Sequence, residues 1–189
     1  IGSFLMWQVE PSNAGQYTFY DFMLNYHERD NPRCAATGPL GGQHVTAVLD
    51  GQQRLTALNI GLRGSDARKL PRLWANNPQA YPKTELYVDL FHRGQDDELG
   101  TEYQFKFLKP GDAAADGVNT GAHWYRVRSI LEVRSTRDVI RTLQSEKIAE
   151  HEIAGDVLAR LQEVVHVEPT INYFLEDSQS LDTVLNIFI

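Results

Sequence analysis

A chain of 189 residues, 42% hydrophobic and 23% charged, has the composition of a globular protein and is long enough to bury a core in one domain, with or without a helical appendage. No run approaches the roughly 18 consecutive apolar residues of a membrane span, and no leader pattern opens the chain, so a cytoplasmic location is expected. The single cysteine, Cys34, excludes an internal disulfide framework and any Cys-x-x-Cys zinc or redox site, and the net charge of −7 is carried by nine acids against two bases between Gln144 and Asp182.

In chain order, "SFLMWQV" (3–9) is rich in β-forming residues and predicts a buried strand. "YTFYDFMLNY" places Phe19, Phe22, Met23 and Tyr26 at i, i+3, i+4 and i+7, the stripe of an amphipathic helix. From Asn31 to Gln43, Pro, Gly, Thr and Ala recur without a period, which predicts a loop. "HVTAVLD" reads as a strand ending at Asp50 and punctuated by Gly51. Leu55, Leu58 and Leu62 then mark a helix from about Gln52 to Leu62 that ends at Gly64.

"ELYVDLF" (85–91) sets Leu86, Val88 and Leu90 against Glu85, Tyr87 and Asp89, and "YQFKFL" (103–108) alternates in the same way. Two half-buried strands joined as a hairpin through the polar "HRGQDDELGTE" are expected. "GDAAADGVNTG" (111–121) is small, polar and rich in breakers, which predicts a surface loop. "STRDVIRTL" opens on Ser135 or Thr136 as a helix cap, and "IAGDVLARLQEVV" carries Ile153, Val157, Leu158 and Leu161 on one helical face. "TINYFLE" predicts a strand, and "SLDTVLNIFI" a helix capped by Ser180. The start at Ile1 without a methionine and the stop inside an apolar run read as a fragment of a longer protein.

The chemistry concentrates in "VLDGQQRLTAL" (48–58). A strand that ends in Asp-Gly and leads into a helix exposes backbone N–H groups at the first turn, where the aligned peptide dipoles add partial positive charge. Gly51 permits a tight turn and admits a ligand close to the backbone. Arg54 offers a planar fork of donors to phosphate oxygens, and Gln52 and Gln53 add neutral donors. Asp50 serves either as a metal ligand beside those phosphates or as an acceptor that fixes the turn. An arginine in the first turn of a helix is unfavourable unless an anion compensates it. The alternative is a plain structural turn, with Asp50 as the cap and Arg54 on the surface. No Gly-x-x-x-x-Gly-Lys-Ser/Thr occurs in the chain.

This stretch resembles the signature of the N-terminal domain of the GmrSD family of modification-dependent (type IV) restriction systems, in which an apolar strand runs into Asp-Gly-Gln-Gln-Arg-Leu-Thr and a helix. "IGSFLMW" resembles the segment that follows the family's first motif, a Gln-Arg followed by aromatics, and "LNIFI" the lead-in to a later Arg-x-Asn-x-x-Gly motif. Both outer motifs lie beyond the ends of this sequence. The signature is also similar to the Asp-Gly-Glu-Arg-Arg motif of ParB-like proteins, where the turn contacts nucleotide phosphates.

The resemblance implies an α/β (α+β) fold with a ParB/sulfiredoxin-like mixed sheet, placed at residues 1–125, and a helix-rich part at 126–189 continuing the same domain. It implies a domain that binds a nucleoside triphosphate (GTP, UTP, CTP or ATP) with Mg²⁺, and in some relatives hydrolyses it, to control DNA restriction. Asp50, Gln53 and Arg54 are then the catalytic candidates, Gly51, Gln52, Gln53 and Arg54 hold the nucleotide, and Asp50 serves the metal. The missing upstream Gln-Arg implies weak or absent turnover by this piece alone. DNA, a nuclease domain or subunit, and a second copy of the chain are the implied partners.

A second reading is a module that binds or nicks DNA and senses its modification without nucleotide turnover. "LRGSDARKLPR" offers Arg63, Arg68, Lys69 and Arg72 to backbone phosphates, and "YRVRSILEVRSTRDVIR" offers Arg126, Arg128, Arg134, Arg137 and Arg141. A solvated charged face is the ordinary use of such stretches. Asp96, Asp97, Glu98 and Glu102 form an acidic loop that is either solvated or attracts Mg²⁺. Trp7, Trp74 and Trp124 either pack or stack on bases. The six histidines show no metal-ligand spacing on one helix and no His-Asn-His nuclease pattern.

Overall fold

The computed structural model describes residues 2–38, 40, 42–94, 102–180 and 183–184. Its elements run β1 (Ser3–Val9), α1 (Pro11–Ala14), β2 (Asn25–His27), β3 (Val45–Asp50), α2 (Gln52–Arg63), β4 (Ser65–Ala67) and β5 (Glu85–Arg93). They continue with β6 (Tyr103–Leu108), α3 (Ala113–Thr120), β7 (Trp124–Arg126), α4 (Thr136–Ser145), α5 (Glu152–His166) and β8 (Asn172–Glu176). The mixture of helices with parallel and antiparallel pairings is that of an α+β protein. No helix among the described residues is long and apolar enough to cross a membrane.

The chain forms two compact units, one of Ile1–Met23, Pro32–Asn59 and Thr170–Ile189, the other of Leu24–Asn31 and Ile60–Pro169. The units follow the sheets and do not divide at residue 125. β8 returns to the N-terminal strand, whereas residues 60–125 share a unit with α4 and α5.

The first unit is built on a three-stranded sheet in the order β3-β1-β8, with β1 antiparallel to β3 and parallel to β8. Alternation along β1 turns Trp7 and Val9 into a small core with Ala14 and Val184, against which Tyr17 and Phe19 pack. Tyr17 meets the Trp7 ring edge-on at 5.0 Å, and the Trp7 indole N–H donates to the Ser178 carbonyl at 2.8 Å.

The helix expected around Phe19 to Tyr26 does not form. Tyr20 bridges to Ala36, the Asp21 N–H donates to the Ala35 carbonyl, and the Thr37 N–H donates to the Phe19 carbonyl. Aromatic and threonine side chains favour extended backbone, and the loop predicted at 31–43 supplies the pairing partner, so the helical spacing of the aromatics is coincidental. The helix expected from Ser180 lies mostly outside the described residues. Within it, the Val184 N–H donates to the Ser180 carbonyl.

The second unit pairs β2 with β4 in parallel and sets β5 between β6 and β7, both antiparallel to it. α4 and α5 cover one sheet face, where Leu90, Ile130 and Leu158 are fully buried. α4 starts at a complete capping box, in which Ser135 Oγ accepts the Asp138 N–H and the Asp138 carboxylate accepts the Ser135 N–H. On α5 the buried stripe is Ala154, Val157, Leu158 and Gln162, while Ile153, expected inside, is exposed.

Two expectations change in this unit. β5 is not half-buried, because Glu85, Tyr87 and Asp89 are as enclosed as Val88 and Leu90. The segment at 111–121 is not a loop, because α3 forms there. Its run of three alanines favours helix strongly enough to offset the glycine and asparagine that follow. The β5–β6 hairpin forms as expected. Its turn, with Asp96, Asp97 and Glu98, lies outside the described residues.

Candidate functional site

The strand expected over "HVTAVLD" and the helix expected from about Gln52 to Leu62 are present as β3 and α2, and they position every residue of the Asp-Gly-Gln-Gln-Arg run. β3 ends at Asp50, which lies opposite Leu5 of β1. Gly51 then takes φ +88°, the left-handed region in which only glycine is at ease. The first intrahelical bond runs from the Leu55 N–H to the Gly51 carbonyl at 3.0 Å. The N–H groups of Gln52 and Gln53, which precede the first helical bond, have no acceptor among the described residues.

The space beside Gly51 belongs to a side chain of the protein. A Cβ at this position would lie 2.3 Å from Phe4 Cδ1, and Phe4 is 1% exposed. The absence of a side chain at 51 is therefore required by packing as well as by the turn. The same Phe4 ring carries the Arg54 guanidinium over its face, 4.7 Å from the centroid. Arg54 Nη2 donates to the Ser3 carbonyl at 2.9 Å and to Asp50 Oδ2 at 3.2 Å. Gln52 Nε2 donates back to the Val48 carbonyl at 2.8 Å, and the Gln53 side chain is exposed.

Thus four of the five residues have defined local work. Asp50 and Arg54 pair one helical turn apart, Gly51 makes the turn, and Gln52 ties α2 to β3. Strand β1 contributes Ser3 and Phe4 as supports of Arg54, which the sequence analysis does not anticipate. Only their neighbourhood to a strand-forming run hinted at them.

Among the described residues, no three His, Cys, Asp or Glu side chains converge to hold a metal. The donor set at the turn suits a Mg²⁺ that arrives with a triphosphate. Such an ion takes one or two protein carboxylates and completes its shell with phosphate oxygens and water, and the Asp50 side chain is 62% exposed.

The other candidates fall in the second unit. Arg63, Arg68, Lys69 and Arg72 are all exposed. Arg68 pairs with Asp66 at 3.3 Å, and Arg72 has φ +66°. Trp74, two residues on, is 82% exposed, whereas Trp7 is buried and Trp124 half-buried. Arg126 is taken up by the buried Glu85 at 2.5 Å, and Arg141 by Asp138 at 3.5 Å.

No family model matches the chain, and no curated protein matches it.

Proposed function

We propose that this chain is the nucleoside-triphosphate-binding regulatory domain of a GmrSD-like modification-dependent restriction protein, with its ParB/sulfiredoxin-like part carrying the triphosphate at residues 50–54. The observation that carries the reading is the first turn of α2, with two N–H groups that have no acceptor among the described residues and a guanidinium in the same turn. Phosphate is the ligand that such an amide-lined helix mouth favours. The resemblance of Asp-Gly-Gln-Gln-Arg to phosphate-contacting turns supports the same assignment.

The Asp50–Arg54 pair does not oppose it. Its side chains are 62% and 37% exposed, and a solvated pair of this kind contributes about 0–1 kcal/mol. A triphosphate carries several charges, and its exchange for Asp50 on the guanidinium is therefore cheap. Phe4 and Ser3 meanwhile keep the guanidinium from wandering, which lowers the entropy lost on binding. Released from Arg54, Asp50 is available to a Mg²⁺ ion or its water shell. Gln53 is placed to orient phosphate or an attacking water, and any hydrolysis works by positioning and charge stabilisation. The domain acts in the cytoplasm beside a nuclease domain or subunit, with DNA engaged by the whole protein.

The test is calorimetric titration with ATP, GTP, CTP and UTP, each with and without Mg²⁺, of wild type and Arg54→Ala. Binding of at least one nucleotide, weakened about ten-fold or more by the substitution, is the expected outcome, since a charge-assisted bond to phosphate is worth about 1.5–3 kcal/mol. No Arg54-dependent heat with any of the four contradicts the proposal.

A second reading, DNA binding without nucleotide, is favoured by one observation: the exposed Arg63, Arg68, Lys69 and Arg72 run is followed directly by the exposed Trp74. Arginines that neutralise backbone phosphates together with an aromatic face that stacks on a base form the recurrent grip on single strands. Here retention of a labelled single strand should fall steeply with salt and fail in an Arg63→Ala/Arg68→Ala/Arg72→Ala variant. Retention by that variant equal to wild type removes the segment from DNA contact.

A further inference from the structure

The second sheet face of β5 holds a cavity that neither reading uses. It has a volume of about 620 Å³, and its lining includes Asp89, His92, Gln104, Lys106, Thr120 and Trp124. The volume is that of a small-molecule site. Asp89 is 5% exposed, which is unusual for a carboxylate that has no ion-pair partner. Its Oδ1 accepts the N–H groups of Phe91 and His123, both at 2.9 Å. Oδ2 has no hydrogen-bond partner among the described residues and keeps some contact with solvent. The cavity is thus lined by a carboxylate that main-chain donors hold through Oδ1 and whose Oδ2 has no partner among the described residues.

The charges around it decide what it accepts. The cation on the wall, Lys106, is already spent: its Nζ is held by both Asp116 oxygens at 2.7 and 2.9 Å and lies 5.6 Å from the Trp124 ring centroid. The same Asp116 accepts the Trp124 indole N–H at 2.8 Å, which locks that ring as a wall. The Lys106 hydrogen bond draws the Asp116 carboxyl below the usual carboxylate range, so this pair stays charged and mutually neutral at pH 7. Asp89 is then the carboxylate on these walls without an ion-pair partner among the described residues. An anion finds no available lysine or arginine on these walls. A cation finds an acceptor, an aromatic edge, and the neutral polar groups of Gln104 and Thr120.

We propose that this cavity binds the protonated amine or guanidinium of a small organic cation, with Asp89 Oδ2 as the acceptor and the Trp124 ring as the flanking surface. A carboxylate that is only 5% exposed and has no ion-pair partner is unusual for packing alone, and a bound cation supplies the missing partner.

The test is a titration of the full chain with agmatine, a guanidinium on a short amine chain, followed through the Trp124 indole resonance in ¹H–¹⁵N spectra. An acetylated, amidated Gly-Arg-Gly peptide forms a parallel arm. Saturable shifts with agmatine are expected, about ten-fold or more weaker in Asp89→Asn, which retains the Oδ1 acceptor for both main-chain donors. Binding of the peptide as well extends the site to arginine side chains, whereas agmatine alone confines it to free cations. Gln104→Lys supplies a second check that leaves Asp89 intact, because its tethered ammonium should fill the site and abolish the agmatine response while the thermal midpoint is kept. No saturable shift with agmatine in the wild type, or a shift unchanged in both variants, overturns the proposal.

Discussion

Gly64→Ala should destabilise the protein by about 3 kcal/mol, although it adds a single methyl group just past the end of α2, where the residue is buried. An ideal Cβ at this position would lie 1.6 Å from the Leu24 carbonyl oxygen and 2.7 Å from its carbon. Neither atom belongs to a flexible side chain, so the main chain itself must give way. The movement also breaks the bond from the Ser65 N–H to the Leu24 carbonyl, 3.1 Å long, which leads directly into the pairing of Asn25 with Ser65 in β2 and β4. Overpacking of this kind costs about 1–3 kcal/mol and the lost hydrogen bond about 1 more. Urea denaturation measures the sum, with Gly111→Ala as the control, since nothing lies within 4 Å of a Cβ there. Equal midpoints for the two variants contradict the close approach.

Gly51→Ala combines two penalties at the proposed site. The left-handed conformation at φ +88° costs a side-chain-bearing residue about 1–2 kcal/mol, and the clash with Phe4 adds about 1–3 kcal/mol because that ring is fully enclosed and has nowhere to turn. A loss of about 2–5 kcal/mol is expected on these terms. The variant should also lose nucleotide affinity, since relief of the clash moves either the turn or the ring on which Arg54 rests. A fully stable variant means that the turn is not built as described. A destabilised variant that binds nucleotide normally means that the phosphates sit elsewhere.

These two glycines show what the sequence could and could not convey. Gly51 and Gly64 were both recognisable as the ends of a helix from local signals, because a strand run, an Asp-Gly and a leucine stripe each act within a few residues. The reasons they must be glycine were not recognisable. Phe4 and Leu24 lie 47 and 40 residues away in sequence, and nothing in the chain's local pattern announces them. Gly64 in particular has no left-handed backbone, so its role is clearance for a carbonyl and not the helix-ending conformation that its position suggested.

The same distinction separates the elements that were read correctly from those that were not. β3, α2, α4 and the β5–β6 hairpin carry strong local periodicity or caps. The aromatic stripe near Phe22 misled because spacing by itself does not reveal that a partner backbone is available at Ala35 to Thr37. Strand β5 alternates as a half-buried strand does, yet its polar-face residues Glu85, Tyr87 and Asp89 are buried. The alternation places Asp89 toward solvent, and the cavity that it lines has no local signature in the sequence. At the turn, the sequence identified the residue types and their order. The stacking of Arg54 on Phe4 and its bond to Ser3 depend on the β1–β3 pairing, which no local signal encodes.

The central claim is that the first turn of α2 grips phosphate, and the direct measurement is the backbone ¹H–¹⁵N spectrum of the uniformly labelled chain during titration with the nucleoside triphosphate that binds best, in the presence of Mg²⁺. The account predicts that the amides of Gly51, Gln52, Gln53 and Arg54 shift furthest, and that the Arg54 side-chain resonances move as the guanidinium leaves Asp50. Binding that leaves these amides in place and shifts another region, or no binding by any triphosphate, contradicts it.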